Sequence, residues 1–530
     1  IIPWVVKLSS YIELAFVNGL GLPFNSGTLF YFVVLIAAIV WGLKYTRKHQ
    51  KVLANTLIIC FMFILIGYSS FFMIIIRSNA NPPIDENSPE DAISLLAYLG
   101  REQYGTWPIA HGQYYNAPTV DVKDGSPLYI KDRKKGKYVI TDDRKGTIPV
   151  YDPRFTTIFP RMWSNQKPGH TQIYKEYGKI KGRPVEITND DGTTDVKMVP
   201  TFGENLRFFF TYQIGHMYFR YFMWNFSGRQ NDIESQGEVE NGNWLTGIGW
   251  FDEHILGLGP QDNLPDSMKS PARNKFYMLP FILGLMGLFF HLNTTKKDML
   301  IVTLLFMMTG FAIIIYLNQY PYQPRERDYA YAGSFYAFAI WIGLGVMAIY
   351  DILQKKINPR FAALGVSAAV MLMVPGIMAK EGWDDHNRSN KYAARDFAIN
   401  YLNSCEPNAI LFTNGDNDTF PLWYAQEVEG VRTDVRVVNF MLASGHWYVH
   451  QMMNKAYESE PLPFTLTYDQ YQNGINNAVV FYNTNLKDNA ELSQVIEFIA
   501  SENERTKLTL TSGEKINFSP TKKFRLTIDS

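Results

Sequence analysis

The chain has 530 residues, too many for one simple domain, and its 50 Lys and Arg balance 50 Asp and Glu, so charge gives no argument for a nucleic-acid partner. Two cysteines, Cys60 inside an apolar run and Cys405 far from it, supply no disulfide framework and say nothing about redox compartment. A mean hydropathy just below zero hides a division between very apolar and very polar segments.

The start, Ile1-Ile2-Pro3-Trp4, carries neither methionine nor a signal peptide, and Leu526-Thr527-Ile528-Asp529-Ser530 reads as the middle of a strand. The chain is therefore expected to be a piece of something longer. Residues 1–27 mix Trp4, Tyr11 and Phe16 with Lys7 and Glu13 before a Gly19-Leu20-Gly21-Leu22-Pro23 break, the pattern of an interfacial helix and turn. Six apolar runs of about 16 to 25 residues follow, at 28–43, 52–76, 276–292, 299–317, 335–353 and 361–379. Each is long enough to cross a ~30 Å hydrocarbon layer as a helix. They group as a hairpin, 28–76, and a block of four, 276–379.

The short links carry Lys44, Arg47, Lys48 and Lys51, then Lys296 and Lys297, then Lys355, Lys356 and Arg360. Short loops rich in Lys and Arg stay cytoplasmic, so all three hairpins turn on that side. Residues 1–27, the 77–275 insertion, the 318–334 turn and the tail 380–530 then fall outside. In a bacterium this makes a multi-pass protein of the inner (cytoplasmic) membrane with large periplasmic domains.

The insertion opens at Arg77. Ser88-Pro89-Glu90-Asp91 then offers an N-cap, a proline at the first helical position and acids in the first turn, predicting a helix to about Leu99. From 120 to 199, alternating patterns such as Lys137-Tyr138-Val139-Ile140-Thr141, with Asp-Gly and Lys-Gly turns, predict a small, mostly β region. The stretch 206–226, with Phe208-Phe209-Phe210 and Tyr218-Phe219-Arg220-Tyr221-Phe222-Met223-Trp224-Asn225-Phe226, reads as an interfacial aromatic helix. Either that helix merely rests on the membrane, or Arg220 within it and Arg229 after it help to hold a lipid head group.

Between two of the apolar runs lies Gln319 to Ser334, which packs Arg325, Glu326, Arg327 and Asp328 at the outer membrane surface. A guanidinium forks two N–H donors onto an oxyanion, so Arg325 and Arg327 suit a lipid phosphate, with Glu326 and Asp328 orienting them. The alternative is four charges neutralising one another in a solvated turn.

The tail 380–530 reads as α/β. A helix at 393–402, strand at 409–413, helix at 421–428 and strand at 435–439 make a βαβ unit with a parallel pair. A helix at 491–501 and a hairpin turn at Ser512-Gly513-Glu514-Lys515 follow. Asp416 and Asp418, in the turn after the first strand, are candidates for acceptor contact or for a divalent cation, or are ordinary helix caps. His446 and His450 stand at i, i+4 without the glutamate of a zinc protease and read as packing. No phosphate-cradling glycine loop, Gly-x-Ser-x-Gly or paired-cysteine motif occurs.

Three stretches, Gln323-Pro324-Arg325-Glu326-Arg327-Asp328-Tyr329-Ala330-Tyr331, Tyr221 to Phe226 with Gly228-Arg229-Gln230-Asn231-Asp232, and Gly415-Asp416-Asn417-Asp418-Thr419-Phe420-Pro421-Leu422-Trp423-Tyr424, resemble a bacterial multi-span family. That family, formerly a domain of unknown function, is related to the transmembrane protein O-mannosyltransferases and grouped as glycosyltransferase family 117. The resemblance implies a GT-C-like α-helical polytopic membrane protein with a periplasmic, mostly β insertion and a C-terminal periplasmic α/β domain. It also implies transfer of a sugar from a polyprenyl-phosphate carrier to Ser or Thr of an exported protein. Carrier, acceptor and membrane lipid are then the expected partners.

On that reading Arg325 and Arg327, with Arg220, Arg229 and Arg77 nearby, stabilise the charge that grows on the carrier phosphate as the sugar leaves. The family's acidic loop, Trp-Asp-x-Gly-Glu, has no match here, and Trp383-Asp384-Asp385 does not fit it, so no catalytic residue is assigned. The alternative function is a non-enzymatic membrane scaffold of an envelope complex. Transport is disfavoured because the ionisable residues of the apolar runs, His291 and Asp351, stand at their cytoplasmic ends.

Overall fold

Five helices among the described residues are long and apolar enough to cross a membrane, which marks a multi-pass membrane protein. They are Ser26–Lys48, Val52–Ser78, Lys296–Leu317, Asp328–Leu353 and Pro359–His386. Such segments must satisfy every backbone N–H and C=O internally, which continuous helices do. The expected run at 276–292 differs. It forms a helix of 16 residues, Leu279–Thr294, about 24 Å long and short of the hydrocarbon thickness. Met278 in the left-handed region and Pro280 in the first turn set its start, so the apolar residues before them are not helical.

The computed structural model describes residues 2–102, 105–188, 193–471, 479–486, 488–510 and 515–527. The chain divides into two compact units, one of residues 1–106, 123–148 and 390–530, the other of residues 107–122 and 149–389.

In the first unit, helix Ile2–Leu14 packs across the start of Ser26–Lys48 at Gly27, where a Cβ would lie 2.6 Å from the Glu13 Cα. The Glu13 carboxylate replaces a missing cap. It accepts from Asn25 N at 2.5 Å and from Thr28 N at 2.8 Å, groups at the N-terminus of a helix that has no side-chain cap of its own. The hairpin of Leu128–Asp132 and Lys137–Asp142 joins this unit, with the buried Tyr138 hydroxyl donating to Asp91 at 3.1 Å.

The helix expected from Ser88 instead starts at Ala92 and runs to Gly100. Asp91 is its N-cap, accepting from Ile93 N and Ser94 N, because Ser88 is held in the left-handed region at φ 40°.

The 390–530 part of that unit contains the parallel pair Ile410–Thr413 and Arg436–Asn439, linked by helix Asp416–Glu427, with Ile410 opposite Arg436. Ala398, Leu402, Leu422, Ala425 and Val437 form its core. The expected turn at 512–514 lies outside the described residues; its flanks, Leu508–Thr509 and Lys515–Ile516, pair antiparallel.

In the second unit, helix Leu279–Thr294 packs against Ala332–Leu353 at glycines on both sides. A Cβ on Gly287 would lie 1.7 Å from the Trp341 carbonyl oxygen, and one on Gly345 2.2 Å from that of Leu283. Glycine is required there because the backbones themselves touch.

The stretch expected to rest on a membrane surface is buried within this unit. Helical segments Phe202–Phe208, Phe209–Phe219 and Arg220–Phe226 run on from one another, the middle one π-wound, and begin at a Thr201–Glu204 capping box. Phe208, Tyr212, Tyr218, Tyr221 and Trp224 form the largest core cluster with Tyr174, Ile314 and Tyr331.

Candidate functional site

The end of Lys296–Leu317 fixes where the 319–334 turn begins. A helix C-terminus leaves carbonyls without intrahelical donors. Here Arg161 Nη1 donates to Ile315 O at 3.1 Å, Trp107 Nε1 to Tyr316 O at 2.8 Å, and Trp163 Nε1 to Asn318 O at 3.1 Å. Arg161 is fully buried over the Phe159 ring, and burial lowers its guanidinium to about 10. Asn318 Nδ2 in turn donates to Pro108 O and Pro160 O, and Gln213 Nε2 reaches Gln319 O at 3.0 Å. The turn therefore leaves the helix from an anchored point.

Glu326 does not orient its sequence neighbours. Its carboxylate faces Arg220, with Nη1 at 2.9 Å from Oε1 and Nη2 at 2.7 Å from Oε2, a two-pronged pair. Tyr221 donates its hydroxyl to Oε2, and Ser235 N donates to Oε1 at 3.0 Å. Arg220 is completed by the carbonyls of His216 and Gly242 and by the Tyr221 and Trp224 rings. Burial acts to raise the Glu326 carboxyl, but the Arg220 hydrogen bonds and charge, with Tyr221 and Ser235, outweigh it and hold the group below the usual range. His216, stacked on Tyr212, is pushed down to about 3 by burial and then by the Arg220 charge.

This pairing leaves the flanking arginines without acids. Among the described residues no carboxylate lies within ion-pair distance of Arg325 or Arg327. Arg325 is exposed, and among the described residues its side chain has no partner. Arg327 gives Nη1 to Tyr329 Oη at 2.7 Å and its backbone N–H to Tyr221 Oη at 3.1 Å, while its buried Nε has no partner. Asp328 is half-buried and opens the short 3-10 turn that leads into Ala332–Leu353. The four charges thus do not form the self-neutralising turn that the sequence also allowed.

The other candidates separate. Arg229 is an anchor: Nη2 meets Asp385 Oδ1 at 3.0 Å, Nε meets Ala272 O at 3.3 Å, and the guanidinium lies over Trp224. Asp385, which fits no family motif, also accepts from Asn274 Nδ2 at 2.5 Å, so it ties the end of Pro359–His386 to the 229–274 ladder. Arg77 belongs to the first unit, exposed on the last turn of Phe71–Ser78.

Asp418 is a helix cap. It accepts from Asn414 N at 2.8 Å and Gly415 N at 2.9 Å, bonds that hold its carboxyl below the usual range. Asp416 is exposed on the first turn of the same helix. No group of three His, Cys, Asp or Glu among the described residues could hold a metal ion. His450 packs against Tyr468 with ring centroids 4.1 Å apart and the rings tilted by 41°, in keeping with packing.

Sequence reasoning missed Glu234. Burial, followed by the Glu326 charge, raises its carboxyl, partly offset by Arg220 and Arg327. It lies two residues past the Arg229-Gln230-Asn231-Asp232 stretch, and nothing local distinguishes it from any surface glutamate.

Two family models match parts of the chain. One, described as TMEM260-associated domain 2, matches residues 394–530, and a family of unknown function (DUF8416) matches residues 105–210. The residues of the arginine site, 220–221, 234–235 and 325–327, lie outside both. No curated protein and no solved structure matches the chain.

Proposed function

We propose that this protein is a GT-C-type membrane glycosyltransferase of the bacterial inner membrane. On this reading it moves a sugar from a polyprenyl-phosphate carrier to Ser or Thr of exported proteins on the periplasmic side. The observation that carries the reading is the capture of Glu326 by Arg220. It leaves two guanidiniums, Arg325 and Arg327, beside the start of a candidate span with no carboxylate within ion-pair distance among the described residues. A lipid-linked donor keeps its tail in hydrocarbon and its phosphate at the interface, where fixed cations stabilise the leaving phosphate more than the intact donor.

The TMEM260-associated domain 2 match over 394–530 supports treating that part as an accessory domain, here given the role of presenting the acceptor. Glu326, with both oxygens engaged, is a positioning residue. The scaffold reading is favoured by one observation: the carboxylate held most firmly at this site is hydrogen-bonded on both oxygens and is not free to act as a base.

The test uses the full-length protein in lipid nanodiscs, with polyprenyl-phosphate binding and sugar transfer to a Ser/Thr peptide measured side by side. Replacing Arg325 and Arg327 together by Gln removes charge-assisted hydrogen bonds of about 1.5–3 kcal/mol each and should weaken carrier binding by about tenfold or more, with transfer falling in step. Unchanged binding and transfer would sink the proposal. Binding without transfer in the unaltered protein would leave the scaffold.

A further inference from the structure

Within the 390–530 part of the first unit, one arginine is buried without an acid to balance it. Arg436, at the start of strand Arg436–Asn439, is 6% exposed and lines a cavity of about 40 Å³. Its Nη2 donates to Asn454 O and its Nε has no partner. Burial lowers the guanidinium, and no carboxylate acts against that. More accessible arginines of the same part are the reverse: Arg395 meets Glu429 at 2.6 Å and Arg432 meets Asp434 at 2.8 Å. A buried charge is costly unless an opposite one accompanies it, so a cation kept beside a cavity points to an anionic ligand.

The cavity's size and walls narrow the chemistry. Its deep side is formed by buried residues, Val435 and Val437 from the strand region, Tyr448 and Met452 from helix His446–Met452, and Ser459. The Tyr448 hydroxyl already donates to Val437 O at 3.3 Å and accepts from Asn439 N at 2.9 Å, which leaves Arg436 as the charged group facing a ligand there. Exposed Glu427 and Tyr457 stand at the rim and are occupied with each other, the Tyr457 hydroxyl donating to Glu427 Oε2 at 2.6 Å. A space of about 40 Å³ takes a water or a planar carboxylate, not a whole ligand of any size. Water would hydrogen-bond the guanidinium without balancing its charge, whereas a carboxylate does both.

We propose that this cavity binds the side-chain carboxylate of an aspartate or glutamate presented by a polypeptide partner. The cavity accepts only the tip of such a residue, and Ile84, Trp423 and Tyr457 around it are apolar and aromatic ground for the chain on either side. All of these residues belong to the first unit, and the inference is independent of Arg325 and Arg327.

The experiment measures fluorescence anisotropy of a short peptide, blocked at both ends and carrying one central Glu and an uncharged dye, with the full-length protein in phosphatidylcholine nanodiscs. The same peptide with Gln, and free acetate as a competitor, are the comparisons. The Glu peptide should bind about tenfold or more tightly than the Gln peptide, the worth of one charge-assisted hydrogen bond. Arg436→Gln should remove that preference, and so should Ala456→Phe, which fills the cavity while keeping the arginine. Glu427→Gln takes a negative charge from the rim and should strengthen binding of the Glu peptide, a gain that misfolding cannot produce. Arg325→Gln/Arg327→Gln should leave binding unchanged.

Equal affinity for the two peptides would assign the cavity to water and overturn the proposal. A preference for Glu that survives either Arg436→Gln or Ala456→Phe would place the binding elsewhere and overturn it too. Acetate competing as well as the unlabelled Glu peptide at equal concentration would overturn the polypeptide partner in favour of a free carboxylate.

Discussion

His216 and Glu326 depart from their ordinary ionisation for different reasons, yet both make the protein weaker in acid. The unfolded chain protonates His216 near 6.5, whereas in the fold burial and Arg220 lower it to about 3. Between those values the unfolded state binds the extra proton, so stability falls steadily as pH drops below about 6.5. Glu326, held low by Arg220, contributes stability that is complete above the unfolded carboxyl value of about 4.3 and is lost as pH falls through its folded value. Melting temperature in detergent should therefore decline from pH 7 to pH 5 through His216, with Glu326 adding its loss below that range. His216→Gln should flatten the upper part of the decline. Equal slopes for the two proteins would refute this account of His216. The Arg220–Glu326 contact was invisible in the sequence because 106 residues separate its partners, and no local pattern encodes which carboxylate a buried guanidinium will meet.

Among the secondary elements, periodicity and end signals were informative wherever they acted locally. Strands 409–413 and 435–439 were legible because apolar runs end at turn residues, and their parallel ladder follows from that order, but the helix between them starts at Asp416, inside the stretch expected as a turn and ahead of the expected Pro421. The 206–226 helix was legible as a helix but not as a core element. Aromatic rings with one polar edge suit a membrane interface and a protein interior equally, and only the packing of Tyr212, Tyr218 and Tyr221 against Tyr174 and Tyr331 decides between them. The short helix Leu279–Thr294 depends on glycine at its contact with Ala332–Leu353. Gly287→Ala forces overlap with the Trp341 carbonyl and should cost about 1–3 kcal/mol or more, read as a lowered melting temperature. Gly343→Ala on the facing helix meets nothing within 4 Å and is the control; a Gly287→Ala protein as stable as Gly343→Ala would contradict this packing.

For the whole molecule, the Lys- and Arg-rich links put all three hairpins on the cytoplasmic side only if the short helix Leu279–Thr294 crosses along with the five longer ones, which a locally thinned bilayer would allow, and labelling tests that topology. In a background with Cys60 and Cys405 replaced by Ser, cysteines at Lys48, Lys297 and Lys356 should resist a membrane-impermeant maleimide in intact spheroplasts, while one at Pro324 should react. Protection at Pro324 would reverse the orientation and remove the periplasmic reading with it. The ion pair that closes the candidate site also sets a timetable for biogenesis. Arg220 is synthesised 106 residues ahead of Glu326, a delay of about 5 to 20 seconds at ordinary elongation rates, and helices Leu279–Thr294 and Lys296–Leu317 emerge in between. The aromatic helix cannot complete its burial until both have been delivered to the bilayer, so a stalled or misinserted hairpin would leave a naked guanidinium among exposed rings for quality-control proteases to find.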